Sequence, residues 1–291
     1  MGEETKMLAL ICGLMAACSW AVHDLLVRKL GQEMPVLPLM LGVLAAGTVA
    51  LVVPVALIAD WGAMTGAAYG VSVAAGFTYI MGMGGLYRAF SMAPVRLVAP
   101  ILGAYPMISL GLAALGGEAV SLVEVLAVVA VVAGIAIVAL TGQPDDGHSA
   151  GKHTASAMLW AAIGAVGFAT TFWLAQEGAR QGEEMASIAV TRVVALMGIL
   201  GLVLAARAPL RTPSGSGLTI GLMGVMDALA IGLVTYSGRL PSPEYAAISS
   251  SLFGVLTILL AWKILRETVL PRQWIGITTV FAGIAVLSSQ G

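Results

Sequence analysis

The sequence predicts an all-α polytopic membrane protein of ten transmembrane helices arranged as two inverted five-helix repeats. Three observations predict it: a composition too apolar for water, ten apolar runs of membrane-crossing length, and a second half that copies the first. Of 291 residues, 59% are apolar and 10% charged, with a mean hydropathy of +0.98. Water-soluble domains carry roughly 25% charged residues because their surface must be hydrated, so most of this surface is expected to face lipid. The 14 Lys and Arg nearly balance the 15 Asp and Glu. That balance provides no basic field for nucleic acid, which is excluded as a partner.

Runs long enough to cross about 30 Å of hydrocarbon fall near 7–27, 36–59, 66–90, 95–116, 121–141, 155–176, 185–206, 217–238, 244–263 and 270–288. The first is read as a span and not a cleavable leader, because Glu3 and Glu4 accompany Lys6 in its flank and the run outlasts an h-region. The longest polar stretch, centred on 143–153, has a linker's composition and separates a first repeat (1–142) from a second (154–291). An ungapped offset of 149 places Tyr87 on Tyr236, Pro94 on Pro243, Glu118 on Glu267 and Ala133-Gly-Ile-Ala136 on Ala282-Gly-Ile-Ala285. A duplicated unit with an odd number of spans enters the membrane from opposite sides in its two copies. The copies are therefore inverted, an architecture suited to alternating access about a shared midplane site.

A charge in hydrocarbon costs several kcal/mol unless it meets a partner or a cavity. By depth this singles out Asp24, Arg192 and Asp227. Asp227, near the middle of span eight, is a candidate to bind a substrate amine or take up a coupling proton, or else to pair with Arg192 as a packing element. Asp24 stands four residues before Arg28, the spacing of a helix-surface ion pair, and is read as interfacial. His23 shares a face of span one with Trp20 and is a candidate for carboxylate binding or proton transfer.

Tyr79, Tyr105, Phe168 and Trp173 lie inside spans three, four and six, and with Trp20 are expected to converge on an aromatic-lined cavity. Ser250 and Ser251 supply hydroxyls in span nine where the first copy is apolar, so they are added as substrate contacts, helix packing being the alternative. Spans one, three, four, six, eight and nine are expected to line the cavity, with five and ten peripheral and suited to close helix contact at Gly134 and Gly283, in assembly or dimerisation. Cys12 and Cys18 lie about 9 Å apart along one helix, too far to bridge, and are read as small buried hydrophobes. No cofactor or metal is expected: His23 lacks neighbouring ligands, and His148 and His153 fall in the linker. No Walker loop, dinucleotide turn or catalytic carboxylate pair is present, so an enzyme is not expected. Glu118 and Glu267 are read as equivalent loop-to-helix caps.

The small residues and aromatic of span one (Gly13 to Trp20), the Ala93-Pro94 and Ser242-Pro243 steps opening each fourth span, and Gly117-Glu118 and Arg266-Glu267 before each fifth resemble the drug/metabolite transporter superfamily. The likeness is to its EamA-type ten-helix carriers, and within them to the YddG-type aromatic amino-acid exporters. The resemblance covers essentially the whole chain. It implies a secondary transporter exporting small organic solutes, aromatic and other neutral amino acids foremost, across a bacterial inner membrane, with lipid and the solute as partners and a coupling proton as a further candidate. The alternatives are a multidrug or other metabolite exchanger of the same fold, or a non-transporting membrane enzyme or structural subunit. Both termini must share a side. The resemblance implies the cytoplasm, whereas counting basic residues, three on the terminal face against ten on the other, favours the outside.

Overall fold

The computed structural model describes residues 2–115, 119–141, 148–210, 212–238, 240, 246, 249–250 and 252–290. Its helices are α1 (Gly2–Leu30), α2 (Val36–Ile58), α3 (Gly66–Met92), α4 (Val95–Gly103), α5 (Tyr105–Leu115) and α6 (Leu122–Leu140) in the first repeat. The second repeat has α7 (His148–Gln181), α8 (Glu184–Ala205), α9 (Ser216–Gly238), α10 (Phe253–Leu260) and α11 (Pro271–Gln290). Five stretches, at Lys6–Leu30, Val36–Ile58, Thr154–Gln181, Glu184–Ala205 and Ser216–Val234, are individually long and apolar enough to cross a membrane. Because α7 begins at His148, helix runs through part of the stretch read as linker.

The fourth span is two helices, α4 and α5, rather than one. Pro106, the second residue of α5, has no amide hydrogen to give the carbonyl four residues back in α4, so the ladder is interrupted between the two. The ninth span, α10, ends in a π-helical turn at Ala261–Leu265, closed by Arg266 in the left-handed region at φ 55°. Local capping sets other boundaries. Thr65 accepts the Ala68 amide at the start of α3, Glu183 accepts those of Met185 and Ala186 at α8, and Ser121 and Glu124 form a capping box at α6.

Packing obeys an exchange of the two repeats. α3 lies on α7 as α9 lies on α1; α2 lies on α9 as α8 lies on α3; α5 lies on α7 as α10 lies on α1. The pairs α2–α8 and α6–α11 join equivalent helices to each other, and α4 on α10 joins the equivalent spans four and nine. This pattern is what a pseudo-two-fold axis relating the repeats requires.

Small residues let the backbones close. A Cβ on Gly85 would fall on the Gly164 backbone, and one on Gly167 would fall on Gly82, so α3 and α7 touch main chain to main chain. In the α6–α11 pair a Cβ on Gly134 would come within 2.6 Å of the Gly276 carbonyl, and one on Gly283 within 2.8 Å of the Ala127 carbonyl. Gly134 and Gly283 thus sit at the expected contact, and Gly276 joins them. Cys12 and Cys18 are free thiols, but only Cys12 is buried. Cys18 points outward, because six residues turn a helix through about 600° and carry it off the Cys12 face.

Candidate functional site

A central cavity of about 660 Å³, mouth included, is lined from α1, α3, α4, α5, α7, α9 and α10. These are spans one, three, four, six, eight and nine; α6 and α11 contribute nothing to it. Helical spacing explains how each wall forms. From α1 come Trp20, His23 and Asp24, at i, i+3 and i+4, and from α3 come Tyr79, Met83, Leu86 and Tyr87, at i, i+4, i+7 and i+8. From α7 come Phe168 and Phe172, with Asp227 and Ile231 from α9 completing the opposite side.

The aromatic rings touch in two groups on the wall, a Trp20–Phe253 pair and a chain from Tyr79 to Tyr105. Trp20 meets Phe253 of α10 edge-on at 6.0 Å between centroids, Tyr79 meets Phe168 at 6.1 Å, Phe168 stacks on Phe172 at 6.3 Å, and Phe172 lies 5.3 Å from Tyr105. Such contacts fix ring orientation while leaving apolar faces toward the space between them.

Polar groups are gathered into two clusters. In the first, Asp227 Oδ2 accepts from Tyr79 Oη at 2.9 Å and from Arg192 Nη2 at 2.6 Å. Arg192, on α8, is 2% exposed and stands behind the cavity wall, its Cζ 5.4 Å from the Tyr79 ring centroid. Gly47 of α2 makes room for it, since a Cβ there would lie 2.9 Å from Arg192 Nη1. Such a buried pair needs hydrogen bonds to offset its desolvation, and Tyr79 provides one.

In the second cluster His23 Nδ1 lies 3.0 Å from Asp24 Oδ1, and His23 Nε2 lies 3.1 Å from Tyr87 Oη. Asp24 is 2% exposed, and its Oδ2 has no hydrogen-bond partner. The expected interfacial pair of Asp24 with Arg28 is therefore not formed. Arg28 Nε donates instead to Glu267 Oε1 at 2.8 Å, and its Nη1 to the Phe90 carbonyl, because the connector after α10 brings a carboxylate to the end of α1. Glu267 Oε2 also accepts the Val95 amide at 2.7 Å. It does cap a helix, but the helix is α4 of the other repeat. Glu118 lies outside the described residues.

Of the residues singled out by sequence, Trp20, His23, Tyr79, Tyr105, Phe168 and Asp227 line the cavity. Trp173 does not: it is 47% exposed. Five residues turn a helix by about 500°, which leaves Trp173 some 140° away from Phe168, whereas Phe172 at i+4 stays within about 40°. Ser250 is buried but does not reach the cavity, and Ser251 lies outside the described residues. Asp24, which sequence reasoning placed at the interface, also lines the cavity, as do Tyr87, Phe172 and Phe253 and the aliphatic Met83, Leu86, Leu102 and Ile231, which it did not name as site residues. Asp24, Tyr87 and Phe172 were signalled by their i+4, i+8 and i+4 spacing from Trp20, Tyr79 and Phe168. Among the described residues no cluster of His, Cys, Asp or Glu could hold a metal.

A helical membrane bundle of two exchange-related repeats around a central cavity defines a small-molecule carrier. The EamA-like transporter family model matches the chain twice, over residues 7–140 and 155–289, and the chain belongs to that family. It is a transporter of the drug/metabolite superfamily, in a family of transporters and not of enzymes. A solved structure described only as "Crystal structure of protein" shares the fold, with a TM-score of 0.59 and 19% identity over 96% of this chain and 95% of that one. No curated protein matches the chain.

Proposed function

We propose that this carrier exports solutes with an aromatic body, aromatic and other neutral amino acids among them, from a bacterial-type cell by alternating access, with both termini cytoplasmic. The observation that carries the reading is the set of Trp20, Tyr79, Tyr105, Phe168, Phe172 and Phe253 around one central space. Burying an aromatic side chain against such walls is worth on the order of 1–3 kcal/mol, enough to favour it over a small or charged one. The solute's share of alternating access is to sit between repeats whose contacts exchange, so that each state opens the same walls to one side. His23 and Asp24, hydrogen-bonded at the wall, are the groups proposed to exchange a coupling proton.

Counterflow tests this in proteoliposomes loaded with an unlabelled amino-acid panel, without ATP. Labelled phenylalanine, tyrosine and tryptophan should exchange several-fold faster than alanine, lysine or glutamate, with methionine and threonine between. Equal rates for all eight would remove the aromatic argument and leave only the carrier.

A further inference from the structure

The aromatic cavity of the proposed function holds one carboxylate oxygen that nothing in the protein satisfies. Asp24 lines the cavity, and its Oδ2 is buried and has no hydrogen-bond partner. The other charged groups there do not compensate for it. Asp227 already receives Tyr79 and Arg192. Both ring nitrogens of His23 are engaged, the simplest tautomer donating Nδ1–H to Asp24 and accepting the Tyr87 hydroxyl at Nε2. With His23 neutral, the formal charges of Asp24, Asp227 and Arg192 sum to −1. Among the described residues, no lysine or arginine lines the cavity.

We infer that Asp24 is an ammonium-binding site and that the preferred substrates are aromatic amines, bound more tightly than the amino acids that share their side chain. An ammonium at Asp24 would satisfy Oδ2 and cancel the residual charge, while its aromatic body lay against Trp20 and Phe168. A zwitterionic amino acid would gain the same contact but bring a carboxylate that meets no cation, only Asp227 and aromatic faces. Hydrogen bonds to a charged group, and the penalty for burying a charge unpaired, predict a preference of roughly 10- to 100-fold. The inference rests on the aromatic-cavity reading for the solute's body, and on Asp24 for its polar end.

Three probes of matched shape separate the terms: phenethylamine carries only the ammonium, phenylalanine both charges, and 3-phenylpropionate only the carboxylate. Each should be assayed as a competitor of labelled phenethylamine in proteoliposomes of the full chain. The expected order of affinity is phenethylamine, then phenylalanine about tenfold or more weaker, then phenylpropionate without effect. In Asp24→Asn the advantage of the amine over phenylalanine should fall to less than about threefold, and in Asp24→Glu it should persist. The wild-type series needs no variant, so a misfolded Asp24→Asn leaves the test intact. Phenylalanine equal to or better than phenethylamine, or competition by phenylpropionate, would overturn the ammonium site. If butylamine competes as well as phenethylamine while Asp24 remains essential, the site stands and the aromatic-cavity reading fails instead.

Discussion

The α3–α7 seam and the α1–α9 contact are equivalent under exchange of the repeats, yet they are built in opposite ways. Along α3–α7, Gly82 and Gly85 meet Gly164 and Gly167 backbone to backbone, and Gly178 and Gly182 face Ser72 and Ala68 farther down. Thr78 and Thr171 add a 2.9 Å hydroxyl contact across the seam. On the other side, no described glycine of α1 or α9 approaches the partner helix, and these helices carry Trp20, His23, Asp24 and Asp227 into the cavity. One contact is closed by the absence of side chains, the other is spaced by large and polar ones. The difference shows how a symmetric duplication acquires a site: sequence divergence at equivalent helices, and not a different fold, decides where space and charge collect.

The sharpest way to break the closed seam is to place side chains in it. Gly85→Leu or Gly167→Leu would drive a branched group into backbone that cannot move aside, and overpacking of even a few methylenes costs about 1–3 kcal/mol. With a backbone clash added, loss of more than about 3 kcal/mol is expected, read as collapse of the monodisperse peak and of the thermal midpoint in detergent. Gly84→Ala on the same helix meets open space and should stay within about 0.5 kcal/mol of the parent. Equal effects at positions 84 and 85 would mean that the close approach is not what holds α3 to α7.

On the polar side, Arg192→Met strands Asp227 in a buried wall and should cost about 3–5 kcal/mol. The double variant Arg192→Met/Asp227→Leu removes both charges and should recover more than half of that loss. If the two single losses simply add in a double-mutant cycle, the ion pair is not the coupled unit that its 2.6 Å contact implies. Glu267→Gln comes next in size. It forfeits the ion pair with Arg28 and weakens the cap on Val95, both only about a tenth exposed, for a loss of about 1–2 kcal/mol. An unchanged midpoint would show that this tie between repeats does not contribute to stability.

Much of the fold was legible because lipid imposes a simple rule: long apolar runs between polar connectors, with small residues where helices touch. The duplication around Pro94 and Pro243 then dictated the inverted pairing. Less legible were features set by tertiary approach. The division of span four at Ala104 depends on where one proline interrupts a ladder, which a hydropathy window averages away. Arg28 and Asp24 have the spacing of a local ion pair, but a connector some 240 residues later takes the arginine, and no local pattern encodes that. Within the cavity the aromatic and acidic character was readable, while the choice between Phe172 and Trp173 needed the helical phase of α7, which follows once Phe168 is known to face inward.

That phase supplies the smallest and most specific test of the comparison. Phe168 stands where α7 leaves the glycine seam and enters the cavity, stacked on Phe172 and edge-on to Tyr79. Trp173 is larger, but it points away from the cavity. If area buried against the solute is what counts, Phe168→Ala should raise the KM for an aromatic solute about tenfold, equivalent to about 1.4 kcal/mol. Trp173→Ala should change it less than twofold, although it removes more surface. Measured side by side in proteoliposomes with matched protein density, a larger effect at Trp173 would place the solute on the outer face of α7. It would also sever the link between the seam's geometry and the position of the site.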